Sequence, residues 1–367
     1  MTEPPQLSPE LARLRGLNED AAKLSQAGEP KRALLVLREA LELAQRLGRQ
    51  DDEMRALNIA AMCHYNRGDY LAGLASGFDA YQLSVKLYEP SGSGRALMGI
   101  AGAAYALRSH GEAEQGFRRA VEIAREIDDE DLELRAMNSL GVVLGDMDRF
   151  DEAEHLLRDV WTRLEPRGEG VQLVRAVANL ANVRKKHGVM LKGRGAAGAL
   201  QEFEAAAVLM NHALGMLRTF QSKYDLADKT GLLGEILFLQ GSHAEAEKLL
   251  RQSLEWAQGL RNHWLQSLAH LSLARLHLEC NRAAAALEAA QAAVNEAKQA
   301  HRDEVELDAQ EVLAQAQALV GRSDDAAVTR HLVEFTRERL EEERELSRRE
   351  MRLIWRLVPD FVTPAAA

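Results

Sequence analysis

The chain has 367 residues and a formal net charge of −10, and apolar residues make up 46% of it while aromatic residues make up only 5%. Good helix formers dominate, so the composition predicts an all-α fold. The absence of any run of 18 apolar residues argues against a membrane partner, the acidic balance argues against nucleic acid, and two distant cysteines without a secretion signal predict a cytoplasmic protein.

Internal repeats of 40 residues organise most of the chain. Four segments carry an Arg-Ala pair at the same place, and they begin at Met54, Gly94, Leu134 and Val174. A small residue recurs in the same register near the start of each second helix, at Ala33, Gly73, Ala113, Ala153, Ala206, Ala246, Ala286 and Ala326. Every interval is 40 residues except one of 53, so we expect a 13-residue insertion near 189–201.

This register predicts how the chain is divided. We expect an N-terminal extension over 1–13, eight repeats over 14–346, a charged C-terminal helix over 335–358 that overlaps the last repeat, and a tail over 359–367. Each repeat is predicted to be two helices joined by a turn, because neither helix can bury its apolar stripe alone. The glycine-rich insertion lacks the ending of a phosphate-binding loop, which predicts a surface loop or, alternatively, a contact loop.

Small residues are expected where the helices of a repeat cross closely. In the first helices they fall at Ala21, Ala61, Ala101, Gly141, Ala181, Gly234, Ala274 and Ala314. A turn residue follows seven positions later, because a helix often ends on a residue with left-handed backbone geometry. The predicted turn residues are Gly28, Gly68, Arg108, Asp148, Gly188, Gly241, Asn281 and Gly321.

The spacing of small, apolar and glycine positions resembles the tetratricopeptide repeat over about nine-tenths of the chain. The 40-residue form, with Arg-Ala opening the helix and NLAN inside it, resembles the Partner-of-Inscuteable scaffolds and, more loosely, bacterial Rap-type peptide-responsive regulators. Two features depart from the family, since no repeat has the tryptophan common at its fourth position and the closing proline is mostly missing. The resemblance implies a right-handed superhelical α-solenoid of about eight helix-turn-helix units.

In such repeats the first helices line the concave side. Arginine occupies the second repeat position five times in succession, at Arg15, Arg55, Arg95, Arg135 and Arg175. Arginine binds carboxylates through two hydrogen bonds, asparagine satisfies a peptide backbone, and tyrosine can stack on a ligand chain. The predicted peptide-binding residues are Arg55, Asn58, Tyr65, Arg95, Tyr105, Arg135, Asn138, Arg175, Asn179, Asn182, Lys185 and Lys186. Together they favour an acidic partner segment.

A purely structural interpretation of the arginines stays open. Acidic residues precede some of them, such as Asp52 and Glu53 before Arg55, and these acids could pair with the arginines where repeats meet. The C-terminal helix likewise has alternatives: a polar cap for the last repeat, a weak coiled coil that forms a homodimer, or a connector that relays a signal.

No catalytic or metal-binding constellation stands out. His270, His277 and Cys280 fall in the packing frame of the seventh repeat, and no nucleophile lies at a recognisable spacing from a base. We therefore predict no enzyme, no metal and no cofactor. The predicted function is a scaffold that holds an acidic peptide or helix in its concave groove; the alternative is a bacterial regulatory sensor that transmits ligand binding through its C-terminal helix.

Overall fold

The computed structural model describes residues 8–26, 28–168, 170–220 and 222–357. These residues are helical throughout apart from short connections, which confirms the predicted all-α class of helix-turn-helix repeats. The chain divides into two compact units, of which the first comprises 1–143 with 344–367 and the second comprises 144–343. The first seven residues of the predicted extension and the tail over 359–367 lie outside the described residues.

In the first unit the first six helices pack in sequence, each against the next. The helices that begin in this unit are α1 (Pro9–Gln26), α2 (Pro30–Leu47), α3 (Gln50–Arg67), α4 (Tyr70–Lys86), α5 (Pro90–Ala106), α6 (His110–Glu126) and α7 (Glu130–Asp146). Alternate helices also touch, because α3 contacts both α1 and α5. Proline occupies the first turn of α1, α2 and α5, where its missing N–H has no partner to lose.

In the second unit, too, the first and second helices of the repeats follow one another along the chain. Its helices are α8 (Phe150–Leu164), α9 (Val171–Gly193), α10 (Ala199–Phe220), α11 (Lys223–Gln240), α12 (His243–Gly259), α13 (His263–Glu279), α14 (Ala283–Gln299), α15 (Asp303–Leu319) and α16 (Ser323–Trp355). The helix α16 begins in this unit, and its residues from Arg344 onwards belong to the first unit. None of the helices described here is long and apolar enough to cross a bilayer.

Burial of the small residues confirms the predicted register. In the second helices, Ala33, Ala113, Ala153 and Ala206 are fully buried, as are the later members of the series: Ala246, Ala286 and Ala326. Gly73 is buried as well, and a Cβ atom at this position would lie 3.2 Å from the carbonyl oxygen of Ala61. Close helix packing therefore accounts for the periodic small residues.

The predicted turns are confirmed at seven positions. Each has a positive φ, which ranges from 56° to 93° in the set Gly28, Gly68, Arg108, Asp148, Gly241, Asn281 and Gly321. Glycine adopts this geometry at no steric cost, whereas the arginine, aspartate and asparagine adopt it against their side-chain preference.

The predicted turn at Gly188 is wrong. Gly188 is buried inside α9, and a Cβ atom there would lie 2.6 Å from Cε1 of Phe203 in α10. The glycine allows two helices to approach rather than the chain to turn. The insertion is a surface loop only over residues 194–198, because residues 189–193 extend α9 and the helix α10 begins at Ala199.

The first part of α16 presents a polar surface where earlier second helices are apolar. In α14, Ala290, Val294 and Ala297 are buried, and two of these side chains belong to a core shared with α15. The same repeat positions in α16 carry exposed Arg330, Glu334 and Arg337. This part of α16 therefore leaves charged side chains in solvent where α14 buries apolar ones.

Candidate functional site

The first unit contains a groove formed by α1, α3, α5 and the start of α7. Its volume is about 1080 Å³, and four predicted residues line it: Arg55, Asn58, Arg95 and Arg135. The repeat period brings these side chains together, because equivalent residues lie on equivalent faces of neighbouring first helices. Tyr65, Tyr105 and Asn138 belong to the same unit but not to this lining.

The two tyrosines pack against rings of their own repeats. The ring centroid of Tyr65 lies 5.9 Å from that of Tyr70, and the Tyr105 ring stacks on His110 at 5.8 Å. In both cases the partner lies at the start of the second helix of the same repeat. A stacking role for these tyrosines toward a ligand stays a prediction.

The arginine row divides according to ion pairing. Arg15 lies 3.9 Å from Asp52, and Arg95 lies 3.7 Å from Asp129, so each pairs with an acid near the start of the next repeat. Arg55 is exposed and forms no ion pair with any residue that the structure describes. Its guanidinium is therefore available for a carboxylate from outside the chain.

The groove is not uniformly basic. Arg15 and three further arginines line it together with four acids, namely Glu19, Asp51, Asp52 and Glu89. Asp52 is 1% exposed, and the side chain of Asn18 donates a 3.1 Å hydrogen bond to its backbone carbonyl oxygen. Apolar side chains also line the groove, including Ile59, Met62 and Met98.

Sequence reasoning missed part of this lining. Asn18 occupies the same repeat position as Asn58 and Asn138, so the 40-residue period contained a usable signal for it. Met98 occupies this repeat position as well, but Met62 and Met98 are apolar, and apolar residues on a helix are usually part of the core. Their place in the groove follows from the packing of neighbouring helices.

The remaining five predicted residues lie on α9 in the second unit. Arg175, Asn179 and Asn182 are spaced along one helix face, and Arg175 is exposed without an ion pair among the residues described. Lys185 instead donates to Glu235 at 2.9 Å, and Lys186 pairs with Asp146. The two lysine charges are thus compensated within the unit. Of the three basic residues predicted on α9, only Arg175 has no ion pair among the described residues.

The pair between Lys185 and Glu235 has a clear electrostatic consequence. Burial acts to raise the pKa of Glu235, but Lys185, with smaller contributions from Arg275 and Lys186, holds the pKa below its ordinary value. The carboxylate is therefore ionised and already paired at neutral pH, so both groups serve the packing of α9 against α11.

His277 and Cys63 lie buried among the packed helices. No group of three or more His, Cys, Asp and Glu side chains in the described part of the chain is arranged to hold a metal ion. His277 is 4% exposed, and burial lowers its pKa. The Cys280 sulfur lies 3.6 Å from Nδ1 of His243. Burial likewise raises the pKa of Cys63, which makes its thiol a poor nucleophile.

Comparison with known proteins bears on the repeat family. Residues 92–164 match the family model described as tetratricopeptide repeat. The predicted tetratricopeptide resemblance is confirmed. No match is found among curated proteins.

Solved structures extend the likeness over most of the chain. The apo form of the quorum sensor NprR from B. thuringiensis aligns with a TM-score of 0.61 and 14% identity, over 90% of this chain and 89% of that one. The Rap conjugation gene regulator of plasmid pLS20, in complex with the Phr* peptide, gives 0.59 and 13%, over 90% and 96%. Aspartyl phosphate phosphatase F from Bacillus subtilis gives 0.59 and 12%, over 92% and 96%. At these identities the likeness shows the fold, which confirms the predicted Rap-type resemblance at that level.

Proposed function

We propose that this protein is a peptide-binding tetratricopeptide scaffold and that the groove of the first unit holds the peptide. The observation that carries the proposal is Arg55, an exposed guanidinium in the groove that forms no ion pair with any of the described residues. The equivalent arginines Arg15 and Arg95 pair with acids of the chain, whereas Arg55 is left for a ligand. The Rap regulator of pLS20, which has the same fold, is described in complex with a peptide.

The lining suggests what the ligand carries. An acidic group, either a side chain or a terminal carboxylate, faces Arg55, because a charge-assisted pair with arginine is strong and directional. The side-chain amide of Asn58 faces the ligand backbone, and Met62 and Met98 contact apolar side chains. Acids balance the arginines of the groove, so the ligand has one acidic group at Arg55 rather than a long acidic run.

On α9, Arg175, Asn179 and Asn182 form a second proposed contact set, since they repeat the arginine and asparagine pattern on one helix face. The protein acts by binding and not by catalysis. We place it in the cytoplasm, where free thiols such as Cys63 and Cys280 persist.

A direct test uses two synthetic hexapeptide libraries that differ at one fixed position, Glu in one and Gln in the other. Binding of each labelled library to the full chain is measured by fluorescence polarisation. We expect the Glu library to bind more tightly and Arg55→Glu to weaken it by about tenfold to a hundredfold, the equivalent of roughly 1.5–3 kcal/mol for a hydrogen bond to a charged group.

Arg46→Glu is the matched control. Arg46 lies outside the groove lining, its side chain is 66% exposed, and its reversal changes the net charge by the same amount. Equal binding of the two libraries, or equal weakening by Arg55→Glu and Arg46→Glu, would show that the groove does not select an acidic peptide.

The sensor alternative has one structural observation in its favour. Met351 and Trp355, near the end of α16, are buried within the first unit, which also contains the groove. A scaffold needs no such contact, whereas a sensor requires a second element that responds to the ligand.

A further inference from the structure

Two apolar side chains near the end of α16 are buried, and this segment belongs to the first unit. Met351 is fully buried and Trp355 is 7% exposed, while Leu353 and Leu357 on the same segment are each 63% exposed. The indole Nε1 of Trp355 donates a hydrogen bond to Oε1 of Gln115 in α6, at 3.2 Å. Residues 344–357, the α16 end segment, are thus docked on α6 through Trp355.

The docking position on α6 is marked by a glycine. A Cβ atom on Gly116 would lie 3.3 Å from Cη2 of Trp355 and 2.8 Å from Cβ of Ala101 in α5. The equivalent residues of the other second helices are all larger: Val36, Ser76, Leu156, Leu209, Leu249, Ala289 and Thr329. Only the third repeat has a glycine at this position. The indole ring of Trp355 and the helix α5 both occupy space that a larger side chain would need.

The helix α5 connects this position to the groove. Ala101 contacts Gly116 on one side of α5, whereas Arg95, Met98 and Gly99 line the groove on the other. The packing on both sides is tight, because a Cβ atom on Gly99 would lie 3.3 Å from Cβ of Ala61 in α3. Close-packed interiors transmit small displacements, so a ligand that moves α5 also moves the Gly116 backbone against the indole.

We infer that the α16 end segment is a releasable intramolecular ligand of α6, coupled through α5 to occupancy of the groove. A ligand that pushes α5 toward α6 closes the space beside Gly116 and releases Trp355. Release exposes Met351 and Trp355 beside Leu353 and Leu357, and this apolar surface is the output. The inference rests on the groove of the proposed function but not on the identity of its ligand.

The docking is tested by hydrogen exchange and mass spectrometry on the full chain. We expect Trp355→Ala to raise the exchange rate of amides in 344–357 at least tenfold, because one of two buried anchors is lost. Leu353→Ala is the matched control, since it removes an exposed apolar side chain from the same segment and should leave the rate unchanged. A rise of less than twofold in Trp355→Ala, or equal rises in the two variants, overturns the docking.

The coupling is tested by filling the groove covalently. Met62 is 37% exposed in the groove, and Leu35 is 64% exposed on α2 outside it. Each is replaced by cysteine in a Cys280→Ser background and labelled with bimane, while Cys63 stays buried and unreactive. We expect exchange in 344–357 to rise at least threefold in the Met62→Cys adduct and to stay unchanged in the Leu35→Cys adduct.

Equal or slower exchange in the Met62→Cys adduct overturns the coupling. Hydrogen exchange in α1 and α2 reports whether the first unit remains folded. If the bimane adduct raises exchange there, the measurement on 344–357 is repeated with the smaller methylthio adduct, and the same threefold rise is required. The experiment contains no peptide, so a failure of peptide binding leaves its result intact. The two proposals therefore fail separately.

Discussion

Replacing Gly188 with alanine sets two effects of similar size against each other. Alanine favours a helix interior by about 1 kcal/mol over glycine, and Gly188 lies inside α9. The new Cβ atom would also lie 2.6 Å from Cε1 of Phe203, 2.9 Å from Cδ1, and 3.1 Å from the backbone oxygen of Ala199. The sign of the stability change depends on whether the ring can move.

The structure indicates that the ring cannot move freely. Phe203 is 2% exposed and belongs to the largest fully buried side chains of the chain. Overpacking of a close-packed core costs about 1–3 kcal/mol, and the contact with backbone at Ala199 adds to it. We therefore expect Gly188→Ala to lower the free energy of unfolding by about 1–2 kcal/mol, after the helix-propensity gain is included.

Gly215→Ala is the matched control. Gly215 is exposed inside α10, and a Cβ atom there would meet nothing within 4 Å. This variant should gain about 0.5–1 kcal/mol. Urea unfolding followed by circular dichroism gives the overall change, and hydrogen exchange in α9 and α10 gives the local one, because repeat arrays do not always unfold in one step.

A double variant isolates the contact. Phe203→Leu shortens the side chain that meets the new methyl group, so Gly188→Ala should cost at least 1 kcal/mol less in the Phe203→Leu background. If Gly188→Ala is as stabilising as Gly215→Ala, or if the costs in the double variant simply add, the close approach of α9 and α10 at this glycine is refuted.

Two further predictions concern the turns and the charges. Tyr88 is 92% exposed with a φ of 55°, a geometry that costs a non-glycine residue about 1–2 kcal/mol. Tyr88→Gly should therefore raise the urea midpoint, and an unchanged or lower midpoint contradicts this. A hydrogen bond from Arg282, and a smaller contribution from Arg251, hold the pKa of Glu247 at about 2. The ionised carboxylate therefore contributes fully to the free energy of unfolding above the ordinary pKa of 4.5, and this contribution declines as the pH falls toward 2. Glu247→Gln should lower the free energy of unfolding by about 1 kcal/mol at pH 7, and this free energy should then fall less between pH 4.5 and 2 than in the unchanged protein. Urea unfolding at several pH values measures both, and an unchanged pH dependence contradicts the ion pairs of Glu247.

The sequence by itself was sufficient for the repeat register. Residues such as Ala33 and Ala113 recur at a fixed period because each repeat must solve the same local packing problem, and their complete burial confirms this. Turns at Gly68 and Gly241 were equally predictable, since a left-handed residue after a helix is a local requirement.

The partners of the arginines could not be derived in the same way. The sequence offered Asp52 as a neighbour of Arg55, but the carboxylate lies 3.9 Å from Arg15, on the preceding first helix. A repeat period predicts the helix face on which a side chain lies. The packing of the helices decides which faces of neighbouring helices touch. The distinction matters because it leaves Arg55 as the arginine of the groove available to a ligand.

Gly188 and Trp355 show the same limit. By sequence, Gly188 stands at a turn position and Trp355 in a charged helix, whereas Gly188 packs against Phe203 and Trp355 bonds to Gln115, 240 residues away. Local periodicity thus determined where helices form and which residues are small. Tertiary structure decided which helices touch, because those contacts join residues whose separation in the sequence carries no periodic signal.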